Sequence, residues 1–371
     1  TLHALLDVRA GDNPEQVFAL IEGDGVSYGA LAARSLAAAK RLVDSSVRPG
    51  DRVMVLMPAS ETYLGLWFAL SRVGAVEVPV NPAYKGLLLR QLIETASPTL
   101  CIVDDVFANE FRAASADLVA GDRIVSPARM CESPDGQVDL DVSQSSSRET
   151  SCIIFTSGTT GRSKGVMMSH RQQLSFGAAF AEIVGLNNDD VTYNFLPFFH
   201  IAAKFVALGT MLAGGKMVLK ASGFSVSSFW PDVRQYGVTV CAAVGGLCHM
   251  LNSQPRRPDD RQNPLRVIYA VPVPWEFKSE FEDRFALHFV EGYGGTESNL
   301  VAYSRRSDPT PRNSLGRTSP HFEIQIQDED GLALPLGQAG EICIRPKHPA
   351  TMMTGYFDMP ERTIEAMTDL W

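Results

Sequence analysis

Apolar and polar positions fall in blocks along the first hundred residues, and strand-type blocks alternate with helix-type ones. Phe18-Ala-Leu-Ile21 is a short apolar run that reads as a strand. Ser27 stands just ahead of an Ala/Leu-rich stretch, where a hydroxyl can accept a free N–H of the first turn, so it predicts an N-cap and a helix to about Val43. Asp51–Met57 predicts a buried strand, Ser60–Leu70 a helix, Ala75–Val80 a third strand, Leu87–Ala96 a helix and Leu100–Val103 a fourth strand. Such alternation predicts a mainly parallel sheet covered by helices, with ligands gathered at the strand ends.

The same pattern resumes after a polar connection near Ser133–Thr150. Helix at Arg171–Ile183, strand at Val191–Leu196, helix at Ala202–Leu212, strand at Lys216–Leu219, helix at Ser225–Tyr236 and strand at Val238–Val244 follow in turn. Beyond residues 309–311 the texture changes to short alternating strands, Phe322–Gln327 and Gly340–Arg345, with turn formers at Asp328–Gly331 between them. With 371 residues the chain is too long for one typical core. The expected architecture is α/β: two stacked αβ subdomains with mainly parallel sheets, residues 1–170 and 171–312, and a small β subdomain over 313–371.

Composition narrows the function classes. Hydrophobic residues make up 45% and charged ones 20%, as in an ordinary globular protein. A formal net charge of -9 argues against general binding to nucleic acid or anionic membrane. The six cysteines, Cys101, Cys131, Cys152, Cys241, Cys248 and Cys343, lie mostly in apolar runs without Cys-x-x-Cys spacing, which reads as buried free thiols in a reducing cytosol. No apolar run reaches the roughly 20 residues that span a bilayer, and the first residues do not resemble a signal peptide, so a cytoplasmic location is expected.

Two stretches carry chemistry. An apolar run, Ser151–Phe155, feeds Thr156-Ser157-Gly158-Thr159-Thr160-Gly161-Arg162-Ser163-Lys164-Gly165, and a second β-type run follows to His170. The glycines let successive N–H groups converge on one anion, the hydroxyls add short donors, and Arg162 and Lys164 add charge where a polyphosphate needs it. Composition alone fits a plain surface loop equally well. In the second stretch, Phe289-Val-Glu-Gly292-Tyr293-Gly294-Gly295-Thr296-Glu297, glycines would admit a ligand to the backbone and Tyr293 offers a face for stacking a base. A threonine hydroxyl can hold a phosphate and a carboxylate can hold its Mg2+. A tight turn with a core tyrosine is the local alternative.

The first stretch resembles the signature of the adenylate-forming superfamily: acyl-CoA synthetases, luciferases and peptide-synthetase adenylation domains. The second resembles that family's Tyr-Gly-x-Thr-Glu motif. The resemblance implies a triphosphate grip at Thr156, Ser157, Gly158, Thr159, Thr160, Gly161 and Lys164. It also implies nucleotide binding at Gly292 and Gly294, adenine contact at Tyr293, α-phosphate contact at Thr296 and Mg2+ binding at Glu297. His200, in Leu196-Pro-Phe-Phe-His200, would close the site between nucleotide and acid. Val244, Gly245 and Gly246 would line the acyl pocket, and Lys204 would face it and pair with a polar or anionic substrate group, against the simpler alternative of a snorkelling surface lysine. Tyr269–Trp275 has prolines where the family has a glycine-rich adenine loop, which looks closest to the betaine- and carnitine-type CoA ligases. Asp369-Leu370-Trp371 resembles the segment before the family's ribose-binding aspartate, so that aspartate, the hinge and the C-terminal lid domain with its catalytic lysine are expected beyond this chain.

What the resemblance implies chemically is ATP-dependent adenylation of a carboxylic acid, with catalytic parts for Lys164, Thr296 and Glu297, and then transfer to coenzyme A. A carrier-protein thiol as acceptor, another oxyanion such as nitrite as substrate, and a non-catalytic nucleotide-binding scaffold are the open alternatives.

Overall fold

The computed structural model describes residues 1–131, 145–156, 163–305, 307, 308, 310–367 and 371. Two sheets dominate these residues, one of seven strands and one of nine. The seven-stranded sheet runs, side by side, Gly355–Tyr356, Lys164–Ser169, Thr150–Thr156, Val76–Pro79, Arg52–Leu56, Leu100–Val103 and Ile124–Val125. Its interior pairings are parallel, and the two at the Gly355–Tyr356 edge are antiparallel. The nine-stranded sheet is likewise parallel through its middle, from His288–Gly295 across to Val17–Ile21. Antiparallel strands close both of its edges. The mainly parallel α/β expectation holds.

Local chemistry explains why the helices begin where they do. The hydroxyl of Ser27 accepts the Ala30 N–H at 3.2 Å and starts the helix Tyr28–Asp44. Ser60 accepts the Tyr63 N–H at 3.1 Å ahead of Glu61–Val73, and Ser169 accepts the Gln172 N–H at 3.0 Å ahead of His170–Val184. Each cap satisfies one of the donors a helix start leaves free.

Strand pairing does not follow the expected division at residues 170 and 312. Val17–Ile21 and Asp24–Ser27 belong to the nine-stranded sheet, because Val17–Ile21 pairs in parallel with Lys216–Leu219. Gly355–Tyr356 crosses the other way and joins the seven-stranded sheet. Periodicity identifies a strand but says nothing of which sheet it joins. One core cluster spans the join, with Phe18, Tyr28, Trp67, Phe68, Phe198, Leu208 and Met217 packed together. Phe322–Gln327 and Glu341–Pro346 pair as a separate two-stranded antiparallel sheet.

Cys101, Cys152, Cys241 and Cys248 are buried free thiols, but Cys343 is half-buried and Cys131 is exposed, so the cysteine expectation holds for four of the six. Among the described residues no helix is long and apolar enough to cross a membrane.

Candidate active site

Four adjacent parallel strands, Val191–Asn194, Val240–Val244, Val267–Val271 and His288–Gly295, deliver their following loops to one edge of the nine-stranded sheet. Carboxyl ends of parallel strands are where α/β folds place ligands. Val244 and Val271 are register partners at that edge and are 52% and 41% exposed, whereas the residues before them in both strands are buried. A side chain at Gly246 would meet nothing within 4 Å, and one at Gly245 would come 3.0 Å from the Pro272 carbonyl. His200 caps the helix Ile201–Ala213: its Nδ1 accepts the Ala202 N–H at 3.1 Å, and desolvation lowers its pKa below the ordinary 6.5. A ring nitrogen that accepts requires that position unprotonated.

The glycines around Tyr293 serve the protein's own packing. A Cβ on Gly292 would stand 2.6 Å from the Tyr269 hydroxyl, and one on Gly294 would stand 1.8 Å from the Asn299 carbonyl oxygen. Pairing with Asn299–Ser304 shifts register between Tyr293 and Gly294, and Tyr293 is left half-buried. Thr296 is buried, and its carbonyl accepts Gln172 Nε2 at 2.8 Å. The Glu297 carbonyl accepts the same amide at 3.4 Å and the Met353 N–H at 2.8 Å. Glu291, buried two residues before Tyr293, accepts the Val273 N–H at 2.9 Å and so pins the proline-rich loop. Ala270 is fully buried.

Thr156 and Lys164 are register partners at the open end of the hairpin formed by Thr150–Thr156 and Lys164–Ser169. Ser157, Gly158, Thr159, Thr160 and Gly161 lie outside the described residues. Gly355–Tyr356 adds to the hairpin's edge and brings in the Tyr356 ring, whose centroid is 4.9 Å from Lys164 Nζ. The phenol of Tyr356 donates to Glu297 Oε1 at 3.2 Å. Burial and the Glu297 charge push its pKa up to about 12, which keeps the donating proton in place. Lys164 thus lies over the ring, and Glu297 meets the hydroxyl, of one tyrosine.

Lys204 is placed differently from both sequence alternatives. It is fully buried, and its ammonium bonds both carboxylate oxygens of Glu77 at 2.8 Å. Tyr63 donates to the same carboxylate at 2.6 Å, and the rings of Trp67, Tyr63 and Phe198 stand 4.6, 5.4 and 5.7 Å from the ammonium. Its charge is already met inside the fold, so neither a surface position nor an ammonium held out for substrate is what the helix presents.

Sequence reasoning passed over Gln172, Glu291 and the part played by Tyr356. Tyr356 had a signal in Thr354-Gly355-Tyr356-Phe357, whereas a glutamine one turn into a helix gives none. Among the described residues no group of three or more His, Cys, Asp or Glu gathers as an ion cage. A lone carboxylate suits a cation that arrives on phosphate, since Mg2+ is usually held by one or two carboxylates plus substrate oxygens.

Residues 6–357 match the model of the AMP-binding enzyme family. The chain belongs to the AMP-binding enzyme family. It is 29% identical over 374 residues to the crotonobetaine/carnitine–CoA ligase of Salmonella typhimurium, an alignment covering 96% of this chain and 72% of that protein. Its fold superposes on ATP-bound MatB from Rhodopseudomonas palustris with a TM-score of 0.88 at 26% identity, covering 99% of this chain and 74% of that one. The N-terminal domain of FACL13 from Mycobacterium tuberculosis, at 22% identity and a TM-score of 0.90, covers 100% and 94% respectively and shares the fold. The protein is an AMP-forming ligase of the acyl-CoA ligase-like kind. The expected likeness to the betaine and carnitine branch agrees with the Salmonella relative.

Proposed function

We propose that the protein activates a carboxylic acid with Mg-ATP as an acyl-adenylate and passes the acyl group to coenzyme A. The observation that carries this is the convergence of Lys164 and Glu297 on Tyr356, Glu297 following directly on the strand that bears Tyr293. ATP use is supported by the family and by the ATP-bound relative, and coenzyme A by the names of the curated relatives.

Lys164, with the N–H and hydroxyl groups from Thr156 to Gly161, neutralises charge that moves onto pyrophosphate as the acid's carboxylate attacks the α-phosphorus. Glu297 holds Mg2+, which supplies further charge neutralisation on the phosphate oxygens. Thr296 contacts the α-phosphate, and Tyr293 stacks on adenine between Gly292 and Gly294. His200 closes the space between nucleotide and acid as a gating residue. Val244, Gly245 and Gly246 form the acyl wall, the open space at Gly246 leaving room for a bulky group.

The test is exchange of labelled pyrophosphate into ATP by full-length protein across a panel of acids that includes crotonobetaine and carnitine. Exchange with at least one acid, lost in Glu297→Ala, is the expected result; normal exchange in that variant refutes the metal assignment. Nitrite adenylation, carrier-protein loading and a non-catalytic scaffold gain no support from the relatives.

A further inference from the structure

The roles above leave Tyr356 without one, yet it is a buried side chain that touches both charged residues. Its backbone is bonded into the hairpin edge opposite Val166, with Thr354 and Phe357 donating to the carbonyls of Met167 and Gly165 at 3.0 and 2.7 Å. Its own N–H donates to Thr363 Oγ1 at 2.9 Å, from the helix Pro360–Ala366. The residue is 7% exposed, so the ring has little freedom to turn away.

Lys164 and Glu297 carry opposite charges and lie against the same ring, yet among the described residues they form no ion pair with each other. The ammonium stands over the ring and the carboxylate meets the hydroxyl end, so each is engaged by a different part of the same side chain. The phenol engages Glu297 Oε1 and leaves Oε2 as the oxygen available to a cation. The Glu297 backbone is meanwhile fixed by Gln172 and Met353, so the phenol settles the remaining freedom, that of the side chain. A flexible lysine and a glutamate without this spacer would neutralise each other and be lost to phosphate and metal alike.

On the adenylation reading above, we propose that Tyr356 is a positioning residue with two effects. Its hydroxyl orients the Glu297 carboxylate for the cation, and its ring insulates that carboxylate from Lys164, so both charges stay available for Mg-ATP.

The two effects separate by substitution. Tyr356→Phe keeps the ring and removes the hydroxyl, and Tyr356→Ala removes both. Binding is measured without turnover, ATP alone by calorimetry and Mn2+ to the protein–ATP complex by electron paramagnetic resonance, with thermal melting as a check on the fold. Tyr356→Phe should bind metal-free ATP as the wild type does, but Mn2+ roughly tenfold more weakly, the size of one hydrogen bond to a charged group. Tyr356→Ala should weaken both, and adding Glu297→Gln to it should restore metal-free ATP binding by freeing Lys164. Wild-type Mn2+ affinity in Tyr356→Phe overturns the orienting role, and unchanged metal-free ATP binding in Tyr356→Ala overturns the insulating one. Wild-type protein that binds no ATP overturns the adenylation reading and this inference with it.

Discussion

Gly294 cannot carry a side chain where it stands. The Asn299 carbonyl would lie 1.8 Å from a Cβ, and Asn299 opens the strand that follows the turn carrying Thr296 and Glu297. Gly294→Ala must therefore push the turn aside, and the expected outcome is a lower melting temperature together with loss of pyrophosphate exchange. Gly292→Ala presses on the Tyr269 hydroxyl, the end of a side chain that is itself fully packed, and should act mainly through stability. The motif was legible in the sequence, but the reason for its glycines was not. Close backbone approach by a ligand and close approach by the protein's own carbonyl leave the same letters. Lys204 shows the limit more plainly. A long stem in an apolar helix fits a snorkelling or a pocket-facing lysine equally, and its partner Glu77 sits 127 residues away inside an apolar strand. The contacts of Tyr356 with Lys164 and Glu297 were hidden for a related reason, since both partners are remote in sequence.

At the level of elements, the Lys204–Glu77 pair ties the helix Ile201–Ala213, which packs on the nine-stranded sheet, to the strand Val76–Pro79 of the seven-stranded one. Burying a charge is tolerable only while it is paired, so removing one partner is far worse than removing both. Lys204→Met should cost about 3–5 kcal/mol in denaturant unfolding. The double variant Lys204→Met, Glu77→Gln should recover much of that loss; additive losses would mean that the two groups do not act as a pair. Element positions were read well: Leu100–Val103 and Lys216–Leu219 match the structure to the residue, and Ser27 caps as expected. Ser27→Ala should lower stability by about 1 kcal/mol.

At the level of the whole molecule, acid sensitivity follows from two buried histidines. Burial lowers the His170 pKa to about 3. For His3, burial and then the nearby Arg72 charge lower it to about 4, while its Nδ1 pairs with Ser71 Oγ at 2.9 Å. Both folded values lie below the unfolded 6.5, so between pH 6.5 and about 3–4 the unfolded chain binds more protons than the folded one. Their contribution is intact above pH 6.5 and is lost as pH falls through that window. Melting temperature measured against pH should fall steadily over that range, and His170→Gln should flatten part of the slope. An unchanged slope would place the acid sensitivity elsewhere.

The strand Val17–Ile21, second from the edge of its sheet, has a consequence for how this protein is made. Its neighbour in the sheet is Lys216–Leu219, and close by Gln16 Nε2 donates to the Gly214 carbonyl across 198 residues. At ribosomal speeds of about 5–20 residues per second, that interval is roughly 10–40 s of synthesis during which an apolar strand has emerged with only its hairpin mate Asp24–Ser27 to pair with, its other side uncovered. Gly355–Tyr356 joins its sheet later still, so Lys164 and Glu297 come to share a tyrosine only when nearly all of this chain has left the ribosome. Nascent chains arrested before residue 216 should therefore bind holdase chaperones, and chains arrested past residue 219 should release them.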